Sequence, residues 1–290
     1  EKPKEEKGLK CITSSKTEIK EHQRIVVEHM LKHRGLIAVH GVGTGKTLIA
    51  VTSIACVLGQ TPNMNVIILT PTSLQGNMKN EFVKYGLDLS KYPNIKFVTT
   101  TKFAQDYKKG LHNCKNTFLI VDEAHNLKTF TTEKSTTGNS YFVMQCAKKC
   151  AKVLLLTATP TPNRSNEIVN LIAMVDGTAP INFKKFDKEI LNDDAAFEKY
   201  FSCKVSFYQN PPSNEFPKFQ EHDVKLVMNK PFYNQYRVVE KGELKKAGAY
   251  MGMLNPKNLT AFLTGVRMAS NKLESSSPKI DWVIKKVLDT

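Results

Sequence analysis

The chain has 290 residues, which is enough for one large domain or two small ones, and 41% of them are hydrophobic, so it can bury a core. No apolar run approaches the roughly 18 residues of a membrane span, and the charged N-terminus lacks a secretory signal, so we expect no membrane partner. The net charge of +15 favours nucleic acid as a partner, although a lysine-rich composition is also typical of AT-rich genomes.

The six cysteines are scattered along the chain and include no CxxC pair, which speaks against a zinc site. We therefore expect reduced thiols and an intracellular, reducing compartment. Cys146 and Cys150 lie four residues apart, so we expect them to pack on one helix face.

The charged lead-in over residues 1–18 is expected to be partly disordered, and an amphipathic helix is predicted over residues 19–33. The apolar run "LIAVH" then predicts a buried strand that leads through a glycine-rich turn into an apolar helix. From there to about residue 180, apolar strands alternate with amphipathic helices. This alternation predicts an α/β fold whose central parallel sheet is flanked by helices on both faces.

The sequence pattern changes after residue 180. Residues 182–210 carry charged, helix-like segments with aromatic side chains. In residues 222–229 apolar and polar residues alternate, which predicts a strand, and two further helices are predicted after it. We therefore expect a mainly helical extension over residues 181–275. A polar linker then leads into a final helix over residues 276–290.

The stretch "GVGTGKT" has the composition of a phosphate-binding loop between a strand and a helix. Gly43 and Gly45 allow a tight turn whose N–H groups, with the helix N-terminus, point at an anion. Lys46 would reach the β- and γ-phosphates, and the Thr47 hydroxyl would bind magnesium. A strict Walker A motif has glycine where His40 stands, but the core of the motif would surround most of the phosphate group. The predicted nucleotide-binding residues of this core are Gly43, Thr44, Gly45, Lys46 and Thr47.

The run "FLIVDEAH" places Asp122 and Glu123 at the carboxyl end of a buried strand, where ligands bind in doubly wound sheets. Asp122 would hold the magnesium ion, and Glu123 would orient and deprotonate the attacking water. The alternative is that both acids are merely solvated, which the four apolar residues before them and the upstream phosphate loop disfavour.

The segments "GVGTGKT", "VDEAHNLK" and "LLLTATPTPN", in this order, resemble motifs I, II and III of superfamily-two helicases of DEAH type. Residues 66–82 and 154–175 are similar to motifs Ia and III of the Swi/Snf-type remodelling ATPases. Residues 204–219 resemble most the transcription-factor ATPases of poxviruses and other large cytoplasmic DNA viruses, one of which is a nucleoside triphosphate phosphohydrolase. The resemblance implies a RecA-like, ATP-binding P-loop NTPase lobe over residues 19–180.

The resemblance also implies roles for residues outside the phosphate loop. Gln23, in the helix that resembles the Q motif, would contact adenine. His125 would link the ATP state to Thr157 and Thr159 of the "TAT" segment, and these threonines would couple it to nucleic-acid contact. The alternative for the two threonines is an ordinary pair of hydroxyls at a strand end.

The motif Ia residues Pro71, Thr72 and Ser73 would lie along the backbone of a bound nucleic acid by the same resemblance. A helix N-cap is the alternative interpretation of these letters, and both can hold.

Motors of this class close two RecA-like lobes around ATP, and the second lobe supplies an arginine finger. None of the five arginines lies in a stretch like Q-x-x-G-R-x-x-R, and residues 276–290 resemble the start of a second lobe. We therefore expect a first lobe that binds ATP and magnesium but hydrolyses ATP poorly without the second lobe of the full-length protein.

The leading interpretation is a motor that translocates along double-stranded DNA in viral transcription, with RNA polymerase or transcription factors as partners. One alternative is an RNA helicase. Another is a binding module of a transcription complex whose ATPase activity is secondary, and a third is a P-loop ATPase with no role on nucleic acid. The expected setting is a cytoplasmic viral factory or a virion if the viral resemblance holds, and otherwise the nucleus.

Overall fold

The computed structural model describes residues 11–12, 15–127, 138–161, 165–210, 223–246, 259–271, 273 and 277–288. Most of the lead-in that is expected to be disordered therefore lies outside the described residues. The chain divides into two compact units, Glu1–Ser213 and Asn214–Thr290. The first unit extends through Ser213, whereas the sequence pattern changes near residue 180.

A six-stranded parallel sheet forms the centre of the first unit, with the strand order β3-β2-β4-β5-β1-β6. Its inner strands are buried on both faces, which is why they appear in the sequence as continuous apolar runs rather than as alternating patterns. The predicted α/β class with a parallel sheet flanked by helices is confirmed. The strands are β1 (Gly35–His40), β2 (Asn65–Leu69), β3 (Ile95–Val98), β4 (Thr117–Val121), β5 (Lys152–Thr157) and β6 (Val205–Tyr208).

Helices cover both faces of the sheet and bury two hydrophobic clusters against it. The first three helices pack on one face, around Phe82 and Ile54, and the other five pack on the opposite face, around Phe103 and Val143. They are α1 (Glu21–Lys32), α2 (Lys46–Gln60), α3 (Thr72–Tyr85), α4 (Thr100–Lys108), α5 (Asn139–Ala147), α6 (Ile168–Asp176), α7 (Phe183–Glu189) and α8 (Asp194–Phe201). Three short 3-10 helices add Leu89–Lys91, Ala124–Asn126 and Ser165–Glu167.

Two sequence predictions for the region after residue 180 are wrong. Residues 205–208, expected within a helix-like region, form the edge strand β6 beside β1. Residues 223–229, which belong to the predicted strand over 222–229, have no regular secondary structure, and Val227 is 89% exposed. Alternation alone does not make a strand, because the backbone also needs a neighbouring strand with which to form hydrogen bonds.

The described part of the second unit is helical. It contains α9 (Lys230–Lys246), α10 (Leu259–Asn271) and α11 (Pro278–Leu288), and α9 packs against α10. The helical extension predicted from the sequence is thus found in this unit and in α7 and α8 of the first. Across the described part of the chain, we find no helix that is both long enough and apolar enough to cross a bilayer.

Four of the six cysteines form disulfides, which contradicts the expectation of reduced thiols. Cys11 is bonded to Cys56, and Cys114 is bonded to Cys146, with Cα atoms 5.2 and 5.4 Å apart. The sequence does not reveal these pairs, because their members lie 45 and 32 residues apart and only the fold brings them together. Cys150 packs beside Cys146, with the two sulfur atoms 3.8 Å apart, but it lies beyond the end of α5 at Ala147 and so does not share a helix face with Cys146 as expected. Burial raises the pKa of the Cys150 thiol to about 12.

Candidate nucleotide site

The glycine-rich loop joins β1 to α2 in the way that the sequence predicts. Gly43 and Gly45 have φ angles of 76° and 80°, in the left-handed region that favours glycine. Gly45 caps α2, and a Cβ atom at this position would lie 2.3 Å from Nε2 of Gln23. The Thr44 side chain is buried and its hydroxyl donates to the carbonyl of Gly41 at 2.8 Å. The backbone conformation therefore favours glycine at both positions, and a side chain at position 45 would displace the Gln23 amide.

Lys46 occupies the first position of α2, and its side chain turns back over the loop. Its ammonium group donates to the carbonyls of His40 and Gly41, both at 3.0 Å. Thr47 follows it on the first turn of α2, where backbone N–H groups have no acceptor within the helix and can bind an anion. Positive charge and free N–H donors therefore meet at one end of the helix.

Asp122 and Glu123 follow directly after β4 but differ in environment. The Asp122 carboxylate accepts hydrogen bonds from the Thr70 hydroxyl and from the backbone N–H of Glu123, both at 3.1 Å. Burial raises the pKa of Asp122 above its ordinary value, and the Thr70 hydrogen bond and the charge of Lys46 oppose that rise. Glu123 has a φ angle of 51°, a conformation that is uncommon for residues other than glycine and that clusters at functional sites.

His125 joins Glu123 to the end of β5. Its Nδ1 atom lies 3.3 Å from Oε2 of Glu123 and 3.1 Å from the hydroxyl of Thr157. The Thr157 hydroxyl also accepts a hydrogen bond from the backbone N–H of Thr159 at 3.1 Å. The three residues that the sequence singles out for coupling are therefore in one connected series that starts at Glu123.

The phosphate loop and the acidic strand end face one cleft of about 360 Å³. Asn77 and Met78 of α3 also line this cleft, and the sequence signals them only as residues of an amphipathic helix. A second cavity of about 190 Å³, lined by Thr70, Pro71 and Thr99–Thr101 among others, shares Asp122 and Glu123 with it. The cleft is lined by Gly43, Gly45, Lys46, Thr47, Leu74, Asn77, Met78, Asp122 and Glu123.

Gln23 lies against the phosphate loop and is only 4% exposed. Its Nε2 atom donates to the carbonyl of Thr44 at 3.0 Å, and its Oε1 atom accepts from the backbone N–H of Lys20 at 2.9 Å. Both ends of the side-chain amide are therefore engaged with the protein, each through one hydrogen bond.

The predicted nucleic-acid residues lie at the start of α3, on the edge of the sheet that carries the cleft. The N-cap position is Pro71, so neither Thr72 nor Ser73 serves as the cap. All three residues are exposed. The stretch thus begins the helix, with Pro71 at the N-cap position and no side-chain cap, and the two hydroxyls are accessible.

His40, which replaces the first glycine of a strict Walker A motif, is completely buried at the end of β1. Its Nε2 atom lies 3.0 Å from the Ser206 hydroxyl, and its Nδ1 atom has no hydrogen-bond partner among the described residues. Burial, with smaller contributions from the charges of His22 and Lys46, lowers the pKa of His40 to about 4. His40 is therefore neutral in the folded protein at neutral pH.

We expect the stability of the protein to fall as the pH is lowered from 6.5 towards 4. In this range His40 is protonated in the unfolded chain but stays neutral in the folded protein, where it is buried. The contribution of His40 to this loss is roughly 2–3 kcal/mol. Denaturant titrations across this range compare the protein with His40→Asn, which retains the contributions of His29 and His112, whose pKa values burial also lowers. The same pH dependence in both proteins would contradict the prediction.

A parallel sheet with a glycine-rich loop, a lysine and two acids at its carboxyl edge defines a P-loop nucleotide-binding lobe. The arrangement includes the histidine–threonine series that the DEAH-type motifs predict. The chain belongs to the SNF2-related domain family, whose sequence model matches residues 6–211.

Three similar relatives are viral proteins. L538 of Acanthamoeba polyphaga mimivirus, provisionally named an ATP-dependent RNA helicase, is 26% identical over 93% of this chain and 62% of its own. The early transcription factor 70 kDa subunit of Yaba monkey tumor virus is 25% identical over 73% and 36%. The termination factor NPH-I homolog of African swine fever virus is 25% identical over 79% and 36%. The chain thus spans less than two thirds of the length of each of these relatives.

Among solved structures, the SWI2/SNF2 ATPase core of Sulfolobus solfataricus in complex with dsDNA has a similar fold. The TM-score is 0.52 at 15% identity, with 95% of this chain and 66% of that chain covered. The resemblance to Swi/Snf-type and viral ATPases and the RecA-like fold class are confirmed.

Proposed function

We propose that this chain is the ATP-binding lobe of a nucleic-acid-dependent motor that translocates along double-stranded DNA. The observation that carries the proposal is the convergence of Lys46, Asp122 and Glu123 on one cleft, with the His125–Thr157 contact leading away from it. Membership of the SNF2-related domain family and the names of the viral relatives support it.

The loop and the first turn of α2 fit a nucleoside triphosphate. Gly43 and Gly45, whose φ angles are in the left-handed region, place no side chain of their own in the way of the phosphates. Lys46 can exchange its two carbonyl acceptors for the β- and γ-phosphates. Thr47 and Asp122 would hold a magnesium ion, which neutralises phosphate charge when bound. Hydroxyl and carboxylate oxygens are the protein ligands that magnesium prefers.

The different surroundings of the two acids assign them different roles. Thr70 and the Glu123 N–H hold the Asp122 carboxylate in one orientation, which suits a magnesium ligand. Glu123 lines the cleft, and its carboxylate lies 3.3 Å from Nδ1 of His125. Glu123 therefore orients the attacking water and accepts its proton.

The His125–Thr157–Thr159 series couples the cleft to the nucleic-acid surface. A displacement of Glu123 is transmitted to His125 at 3.3 Å, then to the Thr157 hydroxyl and the backbone of Thr159. Each contact is a directional hydrogen bond or close polar pair, so a change at the phosphates alters the position of the segment after β5.

Nucleic acid would bind along the exposed start of α3, where Thr72 and Ser73 present hydroxyls and the net charge of +15 supplies attraction. We favour duplex DNA, since the family is that of the Swi2/Snf2 ATPases. RNA is the second candidate, and the name of the mimivirus relative favours it.

A second RecA-like lobe would supply the arginine that stabilises the transition state. The greater length of the relatives supports this assignment, as do the contacts of the two arginines that the structure describes in the first unit. Arg24 pairs with Glu21 and Glu28, and Arg34 donates to backbone carbonyls of α5 and α6. We place the motor in viral transcription, in a cytoplasmic factory or virion, with RNA polymerase or transcription factors as partners.

Titration with labelled duplex DNA and matched RNA, at two salt concentrations and with an ATP analogue, tests the proposal. We expect salt-sensitive duplex binding, since affinity falls with a log–log slope of about −0.9 for each phosphate neutralised. Replacing Thr72 and Ser73 together with alanine should weaken binding roughly 30-fold, because two hydrogen bonds of about 1 kcal/mol each are lost.

Ser90→Ala is the matched control, since Ser90 is an exposed hydroxyl beyond the other end of α3, and it should leave the affinity unchanged. A preference for RNA would replace the DNA translocase by an RNA helicase. If neither nucleic acid binds, this lobe has no nucleic-acid surface of its own.

A further inference from the structure

The C-terminal end of strand β6 borders the phosphate loop. The ladder between β1 and β6 ends with His40 opposite Tyr208. It continues into the loop, where the backbone N–H of Gly41 donates to the carbonyl of Tyr208 at 2.8 Å. The first residue of the phosphate loop is therefore held as if it belonged to the sheet.

Side chains from β1, β6 and α1 meet beside this backbone bond. The rings of His22 and Tyr208 are stacked, with centroids 3.7 Å apart and planes inclined by 6°. The ring of His40 lies 5.6 Å from His22 and 5.8 Å from Tyr208, and its Nε2 atom contacts the Ser206 hydroxyl. We call His22, His40, Ser206 and Tyr208 the β6 clamp.

The β6 clamp reaches the centre of the phosphate loop through His22. Its Nε2 atom lies 3.0 Å from the carbonyl of Thr44, the same oxygen that accepts from Gln23. Tyr208 thus holds the loop at Gly41 through its backbone, and the ring that stacks on it holds the loop at Thr44. Between these two points the loop is exposed, with Val42 83% accessible.

We propose that His22 and Tyr208 are positioning residues of the nucleotide site, which hold the phosphate loop in the conformation that binds the phosphates. The inference rests on the proposed function. A glycine-rich loop loses much conformational entropy when it is ordered, so a clamp that orders it beforehand increases the affinity for the nucleotide.

The β6 clamp also explains why histidine stands at position 40. The imidazole of His40 spans the distance to Ser206 and packs against the His22–Tyr208 stack. A glycine at this position would remove both contacts. The side chain that departs from the strict motif therefore joins the end of β1 to β6.

The proposal separates binding from chemistry. Strands β5 and β1 lie between β6 and β4, the strand that Asp122 and Glu123 follow. The β6 clamp touches the loop but neither acid, so its loss should raise the dissociation constant for Mg·ATP without changing the rate of hydrolysis at saturation.

The test measures the dissociation constant of Mg·ATP and the single-turnover hydrolysis rate for His22→Ala, Tyr208→Ala and the double variant. Each single change should weaken binding about tenfold, and the double variant should be no weaker than either, because the two rings act as one stack. The saturated rate should stay within twofold of the parent protein. Tyr208→Phe, which keeps the ring, should retain the parent affinity.

Phe207→Ala is the matched control, since Phe207 is the adjacent aromatic residue of β6 and is 67% exposed. It should bind Mg·ATP as the parent does, and thermal unfolding checks that every variant is folded. Additive losses, unchanged affinity, or a slower saturated rate at unchanged affinity would each overturn the proposal. The proposed function survives any of these three results, provided that the parent protein binds Mg·ATP and Lys46→Ala does not. If the parent protein does not bind Mg·ATP, both proposals fail.

Discussion

Replacing Lys46 with alanine is expected to weaken Mg·ATP binding by roughly 100-fold, because a charge-assisted contact to the phosphates contributes about 1.5–3 kcal/mol. The ammonium group is the cation that the structure places over the loop, held at 3.0 Å from the carbonyls of His40 and Gly41. Fluorescence titration with a labelled ATP analogue measures the effect. Nucleic-acid-stimulated turnover should disappear with it.

Lys79→Ala is the matched control for this change. Lys79 is an exposed lysine of α3 whose ammonium lies over the ring of Phe97, outside the cleft. Its replacement removes the same charge and should leave nucleotide affinity unaltered. Retained affinity in Lys46→Ala would contradict the nucleotide site. If nucleotide binding is lost in the full-length protein but the process it serves continues, the chain acts as a binding module and not as a motor.

Replacing Glu123 with glutamine is expected to reduce the single-turnover rate of ATP hydrolysis by about 10²–10⁴-fold while nucleotide affinity changes little. Glutamine preserves the shape of the side chain and can still contact His125, but it cannot accept the proton of the attacking water. Binding and hydrolysis are measured on the same preparation, so that a defect in folding would be seen in both.

Glu81→Gln supplies the control for Glu123→Gln, because Glu81 lies on α3 in a surface ion pair with Lys84. Its replacement should leave both binding and hydrolysis unchanged. Hydrolysis in Glu123→Gln within tenfold of the parent rate would remove Glu123 from the role of general base. Asp122 would then be the remaining acid that lines the cleft.

The sequence predicts those parts of the fold and site whose signals are local. The inner strands appear as apolar runs because both of their faces are buried, and Gly43, Gly45 and Lys46 form a compact motif. The edge strand β6 has no such signal, since its four residues are half-buried or exposed and only their pairing with β1 makes them a strand.

Long-range contacts account for the rest of what sequence reasoning misses. Thr70 meets Asp122 across 52 residues, and His40 meets Ser206 across 166. No short window of sequence contains both members of such a pair, so neither the hydrogen bond that orients Asp122 nor the β6 clamp could be predicted. The two disulfides could not be predicted from the sequence for the same reason.

The position of β6 has a consequence for the biosynthesis of the protein. A chain emerges from the ribosome from its N-terminus, so β1 and the phosphate loop are made long before Ser206 and Tyr208, which complete them. Until then, one edge of β1 lacks its neighbour and the loop lacks the bond from Gly41 to Tyr208. The contacts that β6 makes with the end of β1 and with Gly41 can therefore form only after nearly the whole first unit has been translated.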